Sequence, residues 1–180
     1  MDEVKRIDRK LVYEGGIVNF YEDTMEMPSG HHAAWDYIEH KKGASCVIPV
    51  LADGRILMVR QFREAIDLNT LEIPAGAKTE RNEPSEDCAA RELEEETGYR
   101  AGKLTWLCRT ATTPAFCNEL LDIYVATDLV PTEQNLDEDE YLCVEKWELD
   151  ELLEKIYAGE LVDAKSVIAI LAYRTKYIGK

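Results

Sequence analysis

The stretch EPSEDCAARELEEETGY, residues 83–99, decides the fold of this chain. Ser85 is a residue type that caps helix N-termini, and acidic residues follow it in what would be the first turn. Gly98 is suited to ending a helix in the left-handed conformation. We therefore predict a helix over residues 85–97.

Three glutamates of this helix share one face, because Glu92, Glu95 and Glu96 stand at i, i+3 and i+4. Ala89 and Leu93 occupy a different face that is suited to burial. Like charges destabilise a bare helix by roughly a few tenths of a kcal/mol per pair. A divalent cation held between them would reverse that effect, and oxygen-only ligands suit Mg²⁺, with Mn²⁺ as a substitute. The alternative is a solvated acidic face.

Apolar runs on both sides of this helix predict a sheet. The first 45 or so residues alternate and turn at Pro28-Ser29-Gly30, which indicates a hairpin or meander, and Ala52-Asp53-Gly54 is a second hairpin signal. The remaining apolar runs predict strands at CVIPVL, RILMVRQF, LEIPAG, KLTWLCRTATT, ELLDIYVATDL and YLCVEKWEL. Two later segments, WELDELLEKIYAG and DAKSVIAILAYRTKY, predict helices. This order predicts an α/β or α+β fold with a mixed sheet between helical layers.

Composition and charge exclude several classes of protein. The chain has 180 residues, of which 46% are hydrophobic, as in a folded globular protein. A net charge of −15 argues against a nucleic-acid partner. No apolar run approaches ~20 residues and no signal segment is seen, so we expect no membrane partner and a cytoplasmic location. Five dispersed cysteines without a C-x-x-C pair argue against a zinc site.

Residues 83–99 resemble the Nudix box, G-x5-E-x7-R-E-U-x-E-E-x-G-U, where U is a bulky apolar residue. The match runs without a gap from Glu83 to Gly98, and Tyr99 stands in for an aliphatic residue. Gly76 departs from the pattern, because the loop between it and Glu83 carries one extra residue.

The resemblance extends beyond the box to ADP-ribose pyrophosphatases. The LEIPAG run at 71–76 and the VRQFR run at 59–63 are similar to segments of that subgroup, as are Pro114 and the VDAK segment at 162–165. The resemblance implies a Nudix α/β/α sandwich with a mixed central sheet. It also implies an N-terminal antiparallel sheet, residues 1–42, that mediates homodimerisation and base binding, followed by a Nudix domain at 43–180.

The implied reaction is Mg²⁺-dependent hydrolysis of the small nucleoside diphosphate ADP-ribose to AMP and ribose 5-phosphate. By resemblance, Glu92, Glu96 and the Ala75 carbonyl bind the metal, and Glu95 either shares a second metal or holds a metal-bound water. A second acidic segment at 137–140 is a solvated loop or, by resemblance, supplies a glutamate to the site. The resemblance therefore assigns catalysis to Glu95, Glu96 and Glu138, with Glu138 as the general base. It assigns a further metal contact to Glu140. Structural roles fall to Gly76, Glu83, Arg91 and Gly98.

Four residues are candidate substrate ligands. Arg63 is suited to a bidentate phosphate contact, whereas Arg60 is expected to be an ordinary surface arginine. Trp35 either stacks on adenine, as in dimeric family members, or packs in the core or a dimer interface. His40 either contacts substrate or is structural, and Pro114 matches the subgroup.

Two other readings stay open at this point. One keeps the chemistry and changes the substrate to another nucleotide sugar such as GDP-mannose, because the box determines the diphosphate and the metal but not the base or sugar. The other is a catalytically silent Nudix module that senses nucleotides.

Overall fold

The computed structural model describes residues 3–138 and 140–179. The chain begins with three antiparallel strands, β1 (Lys5–Glu14), β2 (Val18–Glu26) and β3 (His32–His40), paired in that order. The predicted turn at 28–30 joins β2 to β3, and Gly30 has a positive φ of 81°. The predicted N-terminal meander is therefore present, and β1 lies at its edge.

A mixed sheet forms the centre of the rest of the chain. It contains β4 (Ala44–Pro49), β7 (Ala75–Ala77), β9 (Lys103–Ala111) and β10 (Leu120–Thr127), in the order β7-β4-β10-β9. β4 and β10 are parallel, and the other pairs are antiparallel. This agrees with the predicted mixed central sheet.

A second, antiparallel sheet has the order β12-β5-β6 and consists of β5 (Ile56–Arg63), β6 (Leu68–Glu72) and β12 (Leu142–Trp147). The predicted turn between β4 and β5 forms, with the Leu51 amide donating to the Arg55 carbonyl at 2.8 Å. The two strands nevertheless enter different sheets, and an isolated bridge between Val50 and Ile56 lies where they separate. A short pair, β8 (Tyr99–Arg100) and β11 (Val130–Pro131), completes the strands.

Helices cover both faces of the mixed sheet. The first, α1 (Ser85–Thr97), buries Ala89 and Leu93 against Val47 of β4. The other two, α2 (Leu149–Tyr157) and α3 (Ala164–Tyr173), contribute to the core on the opposite face, where Ile48 of β4 and Ile170 of α3 are fully buried. Alternate residues of β4 thus point to different helical layers, and the predicted α/β/α sandwich is confirmed.

Several local predictions need correction. Helix α1 has the predicted bounds, but Pro84 occupies the N-cap position without a side-chain cap, so Ser85 is the first helical residue and not the cap. The LEIPAG run is not one strand, because β6 ends at Glu72 and β7 begins at Ala75. Pro74 has no N–H to donate to a ladder, which explains the break.

Among the described residues, no helix has the length and apolar character that crossing a membrane requires.

Gly98 ends α1 with φ of 67°, and a Cβ built on it would lie 3.1 Å from the Gln134 amide nitrogen. Gly159 has a similar φ of 73° but open space around it. We expect Gly159→Ala to lower the free energy of unfolding by about 1–2 kcal/mol through backbone strain. Gly98→Ala should cost more, because crowding adds to strain. Denaturant unfolding measures both, and equal losses would show that the contact with Gln134 is unimportant.

Candidate active site

Two glutamates of α1, Glu92 and Glu96, are buried although their side chains are charged. The exposed fraction of Glu92 is 7% and that of Glu96 is 3%. Burial raises the pKa of Glu92 to about 7, against the lowering effect of Arg91, and raises the pKa of Glu96 to about 8. The negative charge of Glu140 adds to both shifts. At neutral pH the pair therefore holds protons that a bound cation would displace.

The oxygen atoms at and around Glu96 suit a hard divalent cation such as Mg²⁺. Glu96 Oε2 is buried and has no hydrogen-bond partner among the described residues. An unsatisfied buried polar atom costs about 1–3 kcal/mol, and more if charged. The backbone of Ala75 in β7 acts on the Glu96 carboxylate to lower its pKa, against the larger effect of burial. In the described part of the chain no three His, Cys, Asp or Glu side chains already form a metal cage. Water and substrate oxygens would therefore have to complete the ligand set, as is usual for Mg²⁺.

Gly76 gives Glu92 the space it occupies. A Cβ at position 76 would lie 2.1 Å from Glu92 Cδ and 2.2 Å from Oε2. The φ of Gly76 is not in the left-handed region. The glycine is therefore required by the close approach of the Glu92 carboxylate and not by its backbone conformation.

Arg91 binds the glutamates of the same face together. Its Nη1 donates to Glu92 Oε1 at 2.6 Å and to Glu95 Oε2 at 2.8 Å. Its Nε donates to Glu83 Oε1 at 3.3 Å, and Glu83 Oε2 accepts from the Thr79 amide at 2.6 Å. The loop with the extra residue is therefore closed by Glu83 and tied to α1 through Arg91.

A loop following β11 brings more acids to this face. The Asn135 amide donates to the Glu95 carbonyl at 2.9 Å, which attaches the loop to the end of α1. Glu140 and Asp137 line a cavity together with Glu92, Glu95 and Arg91, and we call this the acidic cavity. Glu138 is exposed and does not line it. Asp139, between them, lies outside the described residues.

A second cavity of about 540 Å³ adjoins the first. We call it the inner cavity, and its polar lining comes from His40, Arg63, Thr70, Glu72, Thr112, Glu119, Asp163 and Lys165. Arg63 lines both cavities. His40 Nδ1 accepts a hydrogen bond from the Gly43 amide at 2.8 Å, and its Nε2 lies 3.5 Å from Glu119 Oε1. Two of the four predicted substrate ligands, His40 and Arg63, are thus brought together.

The other two predicted ligands lie elsewhere. Trp35 is exposed on β3 and lines a shallow depression with Phe116, separate from both cavities. Pro114 is exposed in the turn between β9 and β10 and lines neither cavity. Within one protomer, therefore, Trp35 and Pro114 are not assembled with the glutamates.

Sequence reasoning missed Glu72, Glu119 and Lys165. Glu72 and Lys165 belong to segments that the subgroup resemblance had already singled out, so the signal was present but not assigned to side chains. Arg60, expected to be an ordinary surface arginine, forms an ion pair with Glu145 of β12 at 2.6 Å.

The raised pKa values of Glu92 and Glu96 predict a pH-dependent effect of metal on stability. Both groups have a folded-state pKa above the usual 4.5, so their contribution to metal-free stability is present below that value and is lost as the pH rises through about 8. Because a cation must displace their protons, Mg²⁺ affinity should rise by on the order of tenfold to 100-fold from pH 6 to pH 8.

Calorimetric titration with Mg²⁺ at the two pH values measures this rise. Glu96→Gln should weaken binding and flatten the pH dependence, whereas an unchanged pH dependence in that variant would contradict the assignment. The strongly lowered pKa values of Glu72 and Asp122, each about 2, place their titration outside this window.

Comparison with known proteins agrees with this geometry. Residues 39–167 match the family model described as NUDIX domain. The chain is 38% identical over 170 residues to an ADP-ribose pyrophosphatase of Bacillus subtilis, covering 93% of this chain and 91% of that protein. It is equally similar, with the same coverage, to a methanol dehydrogenase activator of Bacillus methanolicus.

A crystal structure of an ADP compounds hydrolase has the same fold, with a TM-score of 0.86 at 22% identity, covering 96% of this chain and 93% of that one. The family match spans more than half of the chain and includes the buried glutamates of α1, the loop closed by Glu83 and the glycine against which Glu92 packs. The chain therefore belongs to the NUDIX family, and within it resembles the ADP-ribose pyrophosphatases.

Proposed function

We propose that this chain hydrolyses ADP-ribose to AMP and ribose 5-phosphate with Mg²⁺ as cofactor. The observation that carries the proposal is the buried pair of Glu92 and Glu96 beside the acidic cavity, in which Glu96 Oε2 has no hydrogen-bond partner among the described residues. Arg63 lines both this cavity and the inner cavity. The similarity to an ADP-ribose pyrophosphatase supports the choice of substrate.

In this proposal the metal is held by Glu92 and Glu96, with Glu95 and the Ala75 carbonyl as further ligands. When bound, Mg²⁺ would neutralise the diphosphate charge and lower the pKa of a water molecule. Arg91 orients Glu92 and Glu95 through its two hydrogen bonds to them. Gly76 keeps the space beside Glu92 free of a side chain.

The acidic loop supplies the candidate base. Glu140 lines the acidic cavity and raises the pKa of both buried glutamates by its charge, which favours it as a metal contact. Glu138, the base expected from the resemblance, would have to turn from solvent into the cavity. The position of Glu140 therefore makes it the stronger candidate for accepting the proton of the attacking water.

The inner cavity would receive part of the substrate beyond the diphosphate. Arg63 stands between the two cavities, where a phosphate oxygen could accept a hydrogen bond from it. His40 and Glu119, which also line the inner cavity, offer polar groups to sugar hydroxyls. An adenine stack on Trp35 would require a second protomer, because Trp35 faces neither cavity of its own chain.

A homodimer is accordingly part of the proposal, with residues 1–42 forming its contact and residues 43–180 the catalytic domain. The edge strand β1 leaves about half of the surface of Ile7, Leu11 and Val12 exposed. Exposed apolar surface on an edge strand is typical of an interface.

The similarity to a methanol dehydrogenase activator supports a second candidate function, activation of an alcohol dehydrogenase. Adding the chain to a purified methanol dehydrogenase and measuring its rate tests this. If activation occurs, Glu96→Gln shows whether it depends on the buried glutamates.

Glu96→Gln should reduce the rate of AMP release from ADP-ribose by at least about 100-fold, because a metal ligand and its charge are lost. The variant should fold normally, since it removes a carboxylate that is costly to ionise when buried. Glu94→Gln on the same helix is the matched control, and it should keep nearly full activity because Glu94 is partly exposed and does not share the helix face of Glu92 and Glu96. A Glu96→Gln protein as active as the wild type would refute the proposed site.

Light scattering during size-exclusion chromatography should give about twice the 20.5 kDa mass of the chain. Leu11→Glu places a charge on the exposed apolar side of β1 and should shift the protein towards the monomer. Tyr157→Glu, at an exposed position of α2, is the control and should leave the mass unchanged. A wild-type monomer would exclude the dimer and with it the proposed role of Trp35.

A further inference from the structure

Glu72, at the end of β6, is the most buried carboxylate that lines the inner cavity, with 1% of its surface exposed. It accepts hydrogen bonds from Arg63 Nε and Nη2, each at 2.6 Å, and from Thr70 Oγ1 at 2.5 Å. Lys165 Nζ, in the first turn of α3, donates to its Oε2. Four donors from three elements therefore converge on one carboxylate.

Glu72 keeps its negative charge at neutral pH. Burial alone would raise the pKa of Glu72, but the hydrogen bonds of Arg63 and the charge of Lys165 bring it down to about 2. Lys165 Nζ is also 3.0 Å from Asp163 Oδ1, and Asp163 caps α3 by accepting from the Ser166 amide. The start of α3 is thus fixed to the end of β6 by ion pairs.

Stability alone does not require this arrangement. Well-packed hydrophobic residues often replace a buried ion pair without loss of stability. Stability alone therefore does not explain the ion pair between Glu72 and Arg63. A two-point hydrogen bond does fix the plane and direction of a guanidinium, which an apolar contact cannot do. Glu72 therefore determines where the remaining N–H groups of Arg63 point.

Those remaining groups lie at the junction of the two cavities. Arg63 uses Nε and Nη2 for Glu72, and its Nη1 makes no hydrogen bond within the described part of the chain. Its side chain remains 42% exposed. Arg63 lines both cavities, whereas Glu72 and Lys165 line only the inner one. Arg63 supplies the charged group where the two cavities meet, and Ile17, Gly76 and Ala77 are the other residues that line both.

We propose that Glu72 is a positioning residue that holds Arg63 by two hydrogen bonds, with Lys165 fixed beside it, and so presents Arg63 Nη1 to a phosphate oxygen of the substrate. The proposal rests on the proposed function, because it assumes a diphosphate ligand at this junction. Glu72 acts through Arg63 and not on the substrate, since four donors already occupy its two oxygens.

A double-mutant cycle tests this coupling. ADP-ribose is titrated calorimetrically into wild type, Glu72→Gln, Arg63→Ala and the double variant, with Ca²⁺ in place of Mg²⁺ to slow turnover. Glu72→Gln should weaken binding about tenfold when Arg63 is present and less than about twofold when it is absent. With Mg²⁺, the same substitution should raise KM far more than it lowers kcat.

Asp122→Asn is the matched control for loss of a buried carboxylate. Asp122 is buried and accepts from Arg109 Nε and Nη2 at 2.9 and 2.8 Å and from Trp106 Nε1 at 3.0 Å, but it lines neither cavity. The Asp122→Asn variant should have a lower Tm than the wild type, as Glu72→Gln should, but its affinity for ADP-ribose should be unchanged.

Equal losses of affinity on replacing Glu72, with and without Arg63, would overturn the proposal, because Glu72 would then act through the fold. Unchanged affinity in Glu72→Gln would overturn it as well. A wild-type protein that binds ADP-ribose but does not cleave it would refute the proposed function, and the cycle would still decide the role of Glu72. A wild type that does not bind ADP-ribose would overturn both.

Discussion

The cost of burying two carboxylates on one helix is the constraint on which the rest of the site depends. Ala89 and Leu93 pack α1 against the mixed sheet, and this packing forces the glutamate face of the same helix against β7. Glu92 and Glu96 consequently lose water, and their pKa values rise to about 7 and 8. A bound cation would stabilise the ionised form of the pair, and Gly76 leaves room for the Glu92 carboxylate that would bind it.

The distribution of charge explains how a strongly acidic chain can bind an anion. Glu92 and Glu95 of α1 line the acidic cavity together with Asp137 and Glu140, and a divalent cation bound there would offset much of their charge. The inner cavity already contains its own cations, Arg63 and Lys165, held by Glu72. The net charge of −15 therefore says little about the junction at which a diphosphate would lie.

Local patterns predicted the parts of the structure that local patterns control. The bounds of α1, the left-handed Gly98 and the shared glutamate face follow from spacing and capping rules, and the structure agrees with them. The pairing of Glu72 with Lys165 could not be predicted this way, because 93 residues separate them and the contact depends on how α3 meets β6. The exposed position of Trp35 on β3, away from both cavities, could not be predicted from the local pattern either. The strand break at Pro74 was only partly predictable. The proline is a local signal, but whether it divides a strand depends on how the neighbouring residues pair in the sheet.

The measurement that tests the central claim most directly is ³¹P NMR of the purified protein with ADP-ribose, with and without Mg²⁺, beside a parallel sample containing GDP-mannose. The account predicts that the diphosphate signals of ADP-ribose disappear, and those of AMP and ribose 5-phosphate appear, only when Mg²⁺ is present. Cleavage of GDP-mannose alone would keep the diphosphate chemistry and contradict the substrate. Cleavage of ADP-ribose at an undiminished rate without any divalent cation would contradict the role given to the buried glutamates.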